Sequence, residues 1–154
     1  MYDLLLTLHS LFRWVVVVAA LFAVGRAWLG WLGRRAWVRL DERLGLAFTI
    51  SMDVQLLLGL VLYFVSPLVQ GAFQDLGAAL AAQGQRFFTL EHVLLMLVAV
   101  ALAHVGRAMS RRVEGDQDKH RRAAIFFGLA VILVLIAIPW PFLPYGRPLL
   151  RLGA

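Results

Sequence analysis

The chain has 154 residues, 62% of them hydrophobic and 16% charged, with a formal net charge of +6. That balance lies outside the ordinary soluble range, and segments such as Val15–Ala23 and Val131–Ile138 offer no polar face that water could solvate. Cysteine is absent, which excludes disulfides, thiolate metal centres, iron–sulfur clusters and the C-x-x-C-H attachment, so any cofactor must be held by His, Asp, Glu, Met or backbone groups.

Four apolar runs occupy most of the chain: Leu4–Leu32, Leu46–Val65, Phe87–Met109 and Ala123–Ile138. Each approaches or exceeds the ~20 residues that cross a hydrocarbon layer as a helix. Helices are required there, because lipid cannot satisfy backbone N–H and C=O groups. The predicted fold is all-α: one domain, a four-helix transmembrane bundle in a lipid bilayer.

The first run carries Asp3 in place of a positive leader and is too long for a signal peptide, so it is read as the first span. It should pass beyond the hydrocarbon, with Trp28, Trp31 and Trp37 at the headgroup level. Gly30 and Gly33 are expected to break it, leaving Arg34–Leu44 along the surface. Ser66–Pro67 ends the second span, since proline cannot donate and disfavours helix in the residue before it. Between Gly71 and Gly84, Phe73, Leu76, Gly77 and Leu80 fall at helical spacing and predict a short interfacial helix. The third span opens through Arg86–Phe87–Phe88–Thr89, with Thr89 as the expected cap. After the fourth span, residues 139–154 begin with four prolines in ten residues, predicting an extended strand along the interface with Trp140, Phe142 and Tyr145.

Basic residues concentrate in two connections. The first holds Arg26, Arg34, Arg35, Arg39 and Arg43, and the third holds Arg107, Arg111, Arg112, Lys119, Arg121 and Arg122. The second has Arg86, and the tail has Arg147 and Arg151. The positive-inside rule then puts the first and third connections in the cytoplasm and both termini on the outer side of the membrane. Basic residues in short loops beside membrane helices read as a topology signal, so no nucleic-acid partner is expected.

Ionisable groups inside spans are costly and mark the places where chemistry or helix pairing happens. Here they are His9, Arg13, Asp53, Glu91, His92 and His104. His9 and His92 each lie about five residues inside the outer end of their spans, at matching depth of roughly 8 Å. Two imidazoles at one depth on different helices suit the two faces of a b-type haem iron, while the bland alternative is hydrogen bonding to neighbouring helices. Arg13 shares a helix face with His9 and needs a counter-charge. Asp53 is the first expected partner and Glu91 the alternative. His104 lies near the depth of Asp53, and a His–Asp pair there would serve as a proton relay or as a plain helix–helix bond. His120 falls in the charged third connection and is expected to be solvated. No dinucleotide, phosphate-loop, G-x-S-x-G or H-E-x-x-H motif is present, so no catalytic residues are assigned.

Four segments together resemble a known group of proteins: Leu8–His9–Ser10–Leu11–Phe12–Arg13–Trp14, Gln55–Leu56–Leu57–Leu58–Gly59–Leu60 with Tyr63–Phe64, Arg86–Phe87–Phe88 through Glu91–His92, and Ile138–Pro139–Trp140–Pro141–Phe142. They are similar to small four-helix bacterial integral membrane proteins labelled cytochrome-b-like, and the similarity covers nearly the whole chain. It implies haem b as cofactor, with His9 and His92 as metal ligands and Arg13 nearby. Where many such bundles carry a second-helix histidine, this chain has Asp53.

The leading expectation is an electron carrier within the membrane, with a quinone or another redox subunit as partner. Its rival is a cofactor-free accessory or scaffold subunit that contacts complex neighbours or further copies of itself. A small transporter using Arg13, Asp53 and His104 ranks last, because four helices leave little room for alternating access.

Overall fold

The computed structural model describes residues 1–150 and is all-helical. Four helical segments are long and apolar enough to cross a membrane, which makes this a multi-pass membrane protein. They are α1 (Tyr2–Leu32), α2 (Arg39–Val65), a composite third span over Gln83–Arg112, and α7 (Asp116–Ala137). Between α2 and the third span lie α3 (Pro67–Gln74) and α4 (Leu76–Ala81). The third span consists of α5 (Gln83–Arg86), one π turn (Phe87–Glu91) and α6 (His92–Arg112). The tail turns at 139–150, and its last expected segment, with Arg151, lies outside the described residues.

Going round the bundle, α6 packs most extensively on α7, α7 on α1, and α1 on α2. The ring closes through α2 and α6, the loosest of the four seams. Small residues allow the close pairs. Ala20, Ala23, Ala27, Ala99, Ala103, Ala124 and Ala130 are buried in the core with Phe48 and Phe127. In α6, Gly106 lies against Phe127, whose ring would be 3.1 Å from any Cβ there. Lipid tails are as apolar as leucine, so such close packing, and not exclusion from water, holds membrane helices together.

Two spans begin seven residues before their apolar runs. α2 starts at Arg39, seven residues before Leu46, so 33–38 alone connects it to α1 and no surface stretch runs to Leu44. The cause is Asp41. Its carboxylate accepts from the Val38 backbone N–H at 2.9 Å, satisfying the donor at the start of the helix, and takes the Arg26 guanidinium at 2.9 and 3.2 Å. The Asp41 side chain is only 2% exposed, so this pair is held away from solvent. Asp41→Ala should therefore destabilise the detergent-solubilised protein by about 2–3 kcal/mol, read as a lowered thermal midpoint.

α7 starts at Asp116, seven residues before Ala123, after Gly115 turns the chain at φ 85°. Acidic Asp116 and Asp118 sit in its first turn, where the helix dipole favours them. His120 is thereby one turn inside a helix and fully buried, not solvated. Its ring sits 4.8 Å from that of Trp37 and fills the space that Gly30 leaves on α1. Gly30 accordingly lies within α1, and the helix ends at Gly33.

The end of α2 at Ser66–Pro67 is as expected, and Pro67 opens α3. Thr89 caps nothing. The helix is already running from Gln83, and Thr89 instead offers its carbonyl to the Tyr63 hydroxyl at 2.9 Å. The tail is not extended either. Successive turns (Leu143 N–H to the Trp140 carbonyl, Gly146 N–H to the Leu143 carbonyl) fold it back, and Arg147 N–H closes onto the Pro139 carbonyl at 3.0 Å. Gly146 permits this fold, since a Cβ there would overlap the Trp140 carbonyl oxygen.

Candidate functional site

At one end of the bundle α1, α2, α6 and α7 diverge around a cavity of about 370 Å³. That volume falls within the range of small-molecule and cofactor sites. Its walls are mostly apolar, with Leu56 and Leu60 from α2, Val93, Met96 and Val100 from α6, and Val134 from α7. The polar groups that reach it include His9, Arg13, Gln55, His92 and Arg147.

His9 and His92 meet here, from α1 and from the first residue of α6. Their ring centres lie 6.3 Å apart, with the planes at 69°. Each is positioned by a neighbour. The His92 Nδ1–H donates to the Ala137 carbonyl at 2.8 Å, at the last residue of α7, which leaves Nε2 with a free lone pair. An imidazole whose other nitrogen is tied to a backbone carbonyl is the usual arrangement of a metal-binding histidine. The Gln55 amide donates to the His9 carbonyl at 3.0 Å and to His9 Nε2 at 3.2 Å. His9 Nδ1 is buried and has no partner. Gly59, one turn beyond Gln55, admits the His9 ring, because a Cβ at that position would lie 3.1 Å from His9 Cε1.

The π turn sets the surroundings of His92. Its wider winding brings the His92 N–H onto the Phe87 carbonyl and turns the Phe87 ring inward, 5.7 Å from the imidazole. Phe88 lies 6.4 Å from the same imidazole. Phe87 also stacks on Tyr145 at 4.1 Å, so the tail closes over this end of the bundle.

The other ionisable groups pair differently from expectation. Arg13 does not reach Asp53. Its Nη2 donates to the Leu149 carbonyl at 2.7 Å, alongside Trp14 Nε1 at 2.9 Å, because the tail folds back over α1. Glu91 is not its partner either, being bound by Arg86 Nε at 2.6 Å within the third span. Asp53 pairs with His104 instead, at 2.7 Å across the α2–α6 seam, Asp53 adjoining the cavity-lining Met52 and His104 one turn beyond the cavity-lining Val100. Both side chains stay nearly half exposed, at 45% and 47%. A double-mutant cycle with Asp53→Asn and His104→Leu should return a coupling of about 0.6–2 kcal/mol in detergent unfolding, the usual strength of interhelical polar contacts.

Residue types alone did not point to Gln55, Ala137, Phe87 or Arg147. Gln55 carried a usable signal, as the one side-chain amide in the run Leu46–Val65. Among the described residues no group of three or more His, Asp or Glu side chains is placed to hold a bare metal ion. No family model, curated protein or solved structure matches this chain.

The histidine pair fits a metal macrocycle on its donor chemistry. His9 and His92, with ring centres 6.3 Å apart, would be the two residues to hold it. His92 has a free nitrogen, and His9 would release one by giving up one of its two Gln55 contacts, the other, to its own carbonyl, still joining α1 and α2.

Proposed function

We propose that this chain is a non-covalent b-type haem protein of the bacterial cytoplasmic membrane that carries electrons within the bilayer. The observation that carries this reading is the His9–His92 pair, 6.3 Å between ring centres, at the wall of a largely apolar cavity. His9 and His92 would hold the haem, which supplies reversible one-electron exchange when bound. The chain's own residues do the rest. The Ala137 carbonyl fixes the His92 tautomer, Gln55 and Gly59 seat the His9 ring, and Phe87 with Phe88 excludes water beside His92. Both termini lie on the outer side in this reading, supported by the basic residues of the α1–α2 and α6–α7 connections. The site is then near the outer surface, and a membrane quinone or a redox subunit exchanges the electron.

The test is a dithionite-reduced minus oxidised absorbance spectrum of protein purified from haem-replete cells. Sharp α and β bands are expected. A colourless protein that migrates with a large assembly on native gels would replace this reading with the accessory-subunit one. A specific observation favours that second reading. His104 and Asp53 face outward from the α2–α6 seam, where lipid cannot solvate them and a neighbouring subunit or second copy would.

A further inference from the structure

Two guanidinium groups reach the same cavity without a carboxylate partner among the described residues. Arg13 projects from α1 and Arg147 from the folded-back tail. None of the four ion pairs among the described residues includes either one. The acids of the neighbouring spans are committed elsewhere, Glu91 to Arg86 and Asp53 to His104. Arg13 has a carbonyl on Nη2, a neutral acceptor that leaves the charge uncompensated, and its Nε is buried with no hydrogen-bond partner. Arg147 is held 5.2 Å above the Phe88 ring, on the same aromatic wall that flanks His92.

An unpaired cation beside an apolar cavity is costly, and the cost falls when a ligand brings the missing negative charge. The guanidinium fork binds carboxylate oxygens with two parallel N–H donors, which suits it to an acid carried at the edge of an apolar body. Two such forks at one cavity call for a ligand with two acidic groups, or one group shared between them.

We propose that Arg13 and Arg147 form an anion clamp that takes the two carboxylates of the haem, leaving its apolar ring to the aliphatic walls. This rests on the haem reading for the identity of the ligand. The clamp also explains why the tail folds back over the cavity, since Arg147 reaches it only through the turns that join 139–147.

The test is equilibrium titration of haem-free protein in detergent with three probes: haem, haem dimethyl ester and metal-free protoporphyrin. Binding is followed by absorbance for the first two and by porphyrin fluorescence for the third. Wild-type protein should bind haem at least tenfold tighter than its diester, and Arg147→Gln should narrow that gap by about tenfold while keeping a bis-histidine spectrum. Arg147→Lys should restore part of the gap. Arg147 lies in the tail, outside the four spans, so its replacement leaves the bundle intact. Metal-free protoporphyrin separates the two ideas, because it carries the carboxylates and has no iron for histidine. Arginine-dependent binding of protoporphyrin with no bis-histidine haem spectrum would uphold the clamp and end the ligation reading. Equal affinity for haem and diester, or a gap that Arg147→Gln and Arg13→Gln leave unchanged, would overturn the clamp.

Discussion

His92→Ala protein, expressed with ample haem, should show no reduced α and β bands. His9→Ala should do the same or leave a weak high-spin spectrum. The asymmetry follows from how the two rings are held. His92 has one nitrogen fixed on the Ala137 carbonyl and the other free, so it is set to bind before any ligand arrives. His9 has Nε2 occupied by Gln55, and its contribution begins once that contact is exchanged. A Gln55→Leu variant extends the prediction. It frees the His9 nitrogen but also removes the bond from the amide to the His9 carbonyl, so the ring loses its seat. Loss of such a supporting group typically costs 10–100-fold in affinity. Bands that persist at full intensity in both alanine variants would show that the pair is a structural contact between helices.

Gly30→Ala should lower the thermal midpoint of the detergent-solubilised protein by several degrees, against the ordinary trend for helices. In an open helix, glycine to alanine gains roughly 0.5–1 kcal/mol. Here the added methyl would overlap the His120 ring, which is fully buried between Gly30 and Trp37. Forcing an extra carbon into packed space costs about 1–3 kcal/mol, so the penalty exceeds the gain and the sign reverses. The expected rescue is specific. In a His120→Ala background, Gly30→Ala should be neutral or stabilising, because the overlapping ring is gone. A single variant as stable as wild type would mean that α1 and α7 slide apart at no cost, and the tight seam between them would have to be abandoned.

The four spans were legible from hydropathy because lipid imposes one rule on every residue of a span. Their starts were less legible. Arg39–Leu44 and Asp116–Arg122 are charged, and an apolar-run criterion stops where charge begins, although a helix continues through charged residues wherever its first turn is capped. Asp41 supplies that cap for α2, and it does so by pairing with Arg26, fifteen positions earlier, which sequence spacing does not reveal. His120 was misjudged for the same reason, since counting it as loop hid its place on an inner helix face.

The histidine pair was legible from depth alone, because helical rise converts sequence position into height. Height says nothing about azimuth, and azimuth decided the remaining polar groups. Asp53 stands near the level of both Arg13 and His104, yet it sits on the α2–α6 side of the bundle and so meets His104. The partner of Arg13, a backbone carbonyl from a tail segment 136 residues away, could be found from no local pattern.

The single π turn at Phe87–Glu91 has a consequence for how this protein can change. A π turn holds one more residue than the α turn it replaces, so it behaves as a one-codon insertion that shifts the angular phase of everything before it relative to everything after. His92 keeps the inner face it shares with Ala99, Ala103 and Gly106, while Phe87 in place of Phe88 falls beneath it. Deleting one residue from the turn would leave the α6 core untouched and rotate Phe87 and Arg86 by about 100°. The environment of the cavity-facing imidazole is thus adjustable by chain length alone, through the buried Phe87, without altering the imidazole or the α6 core.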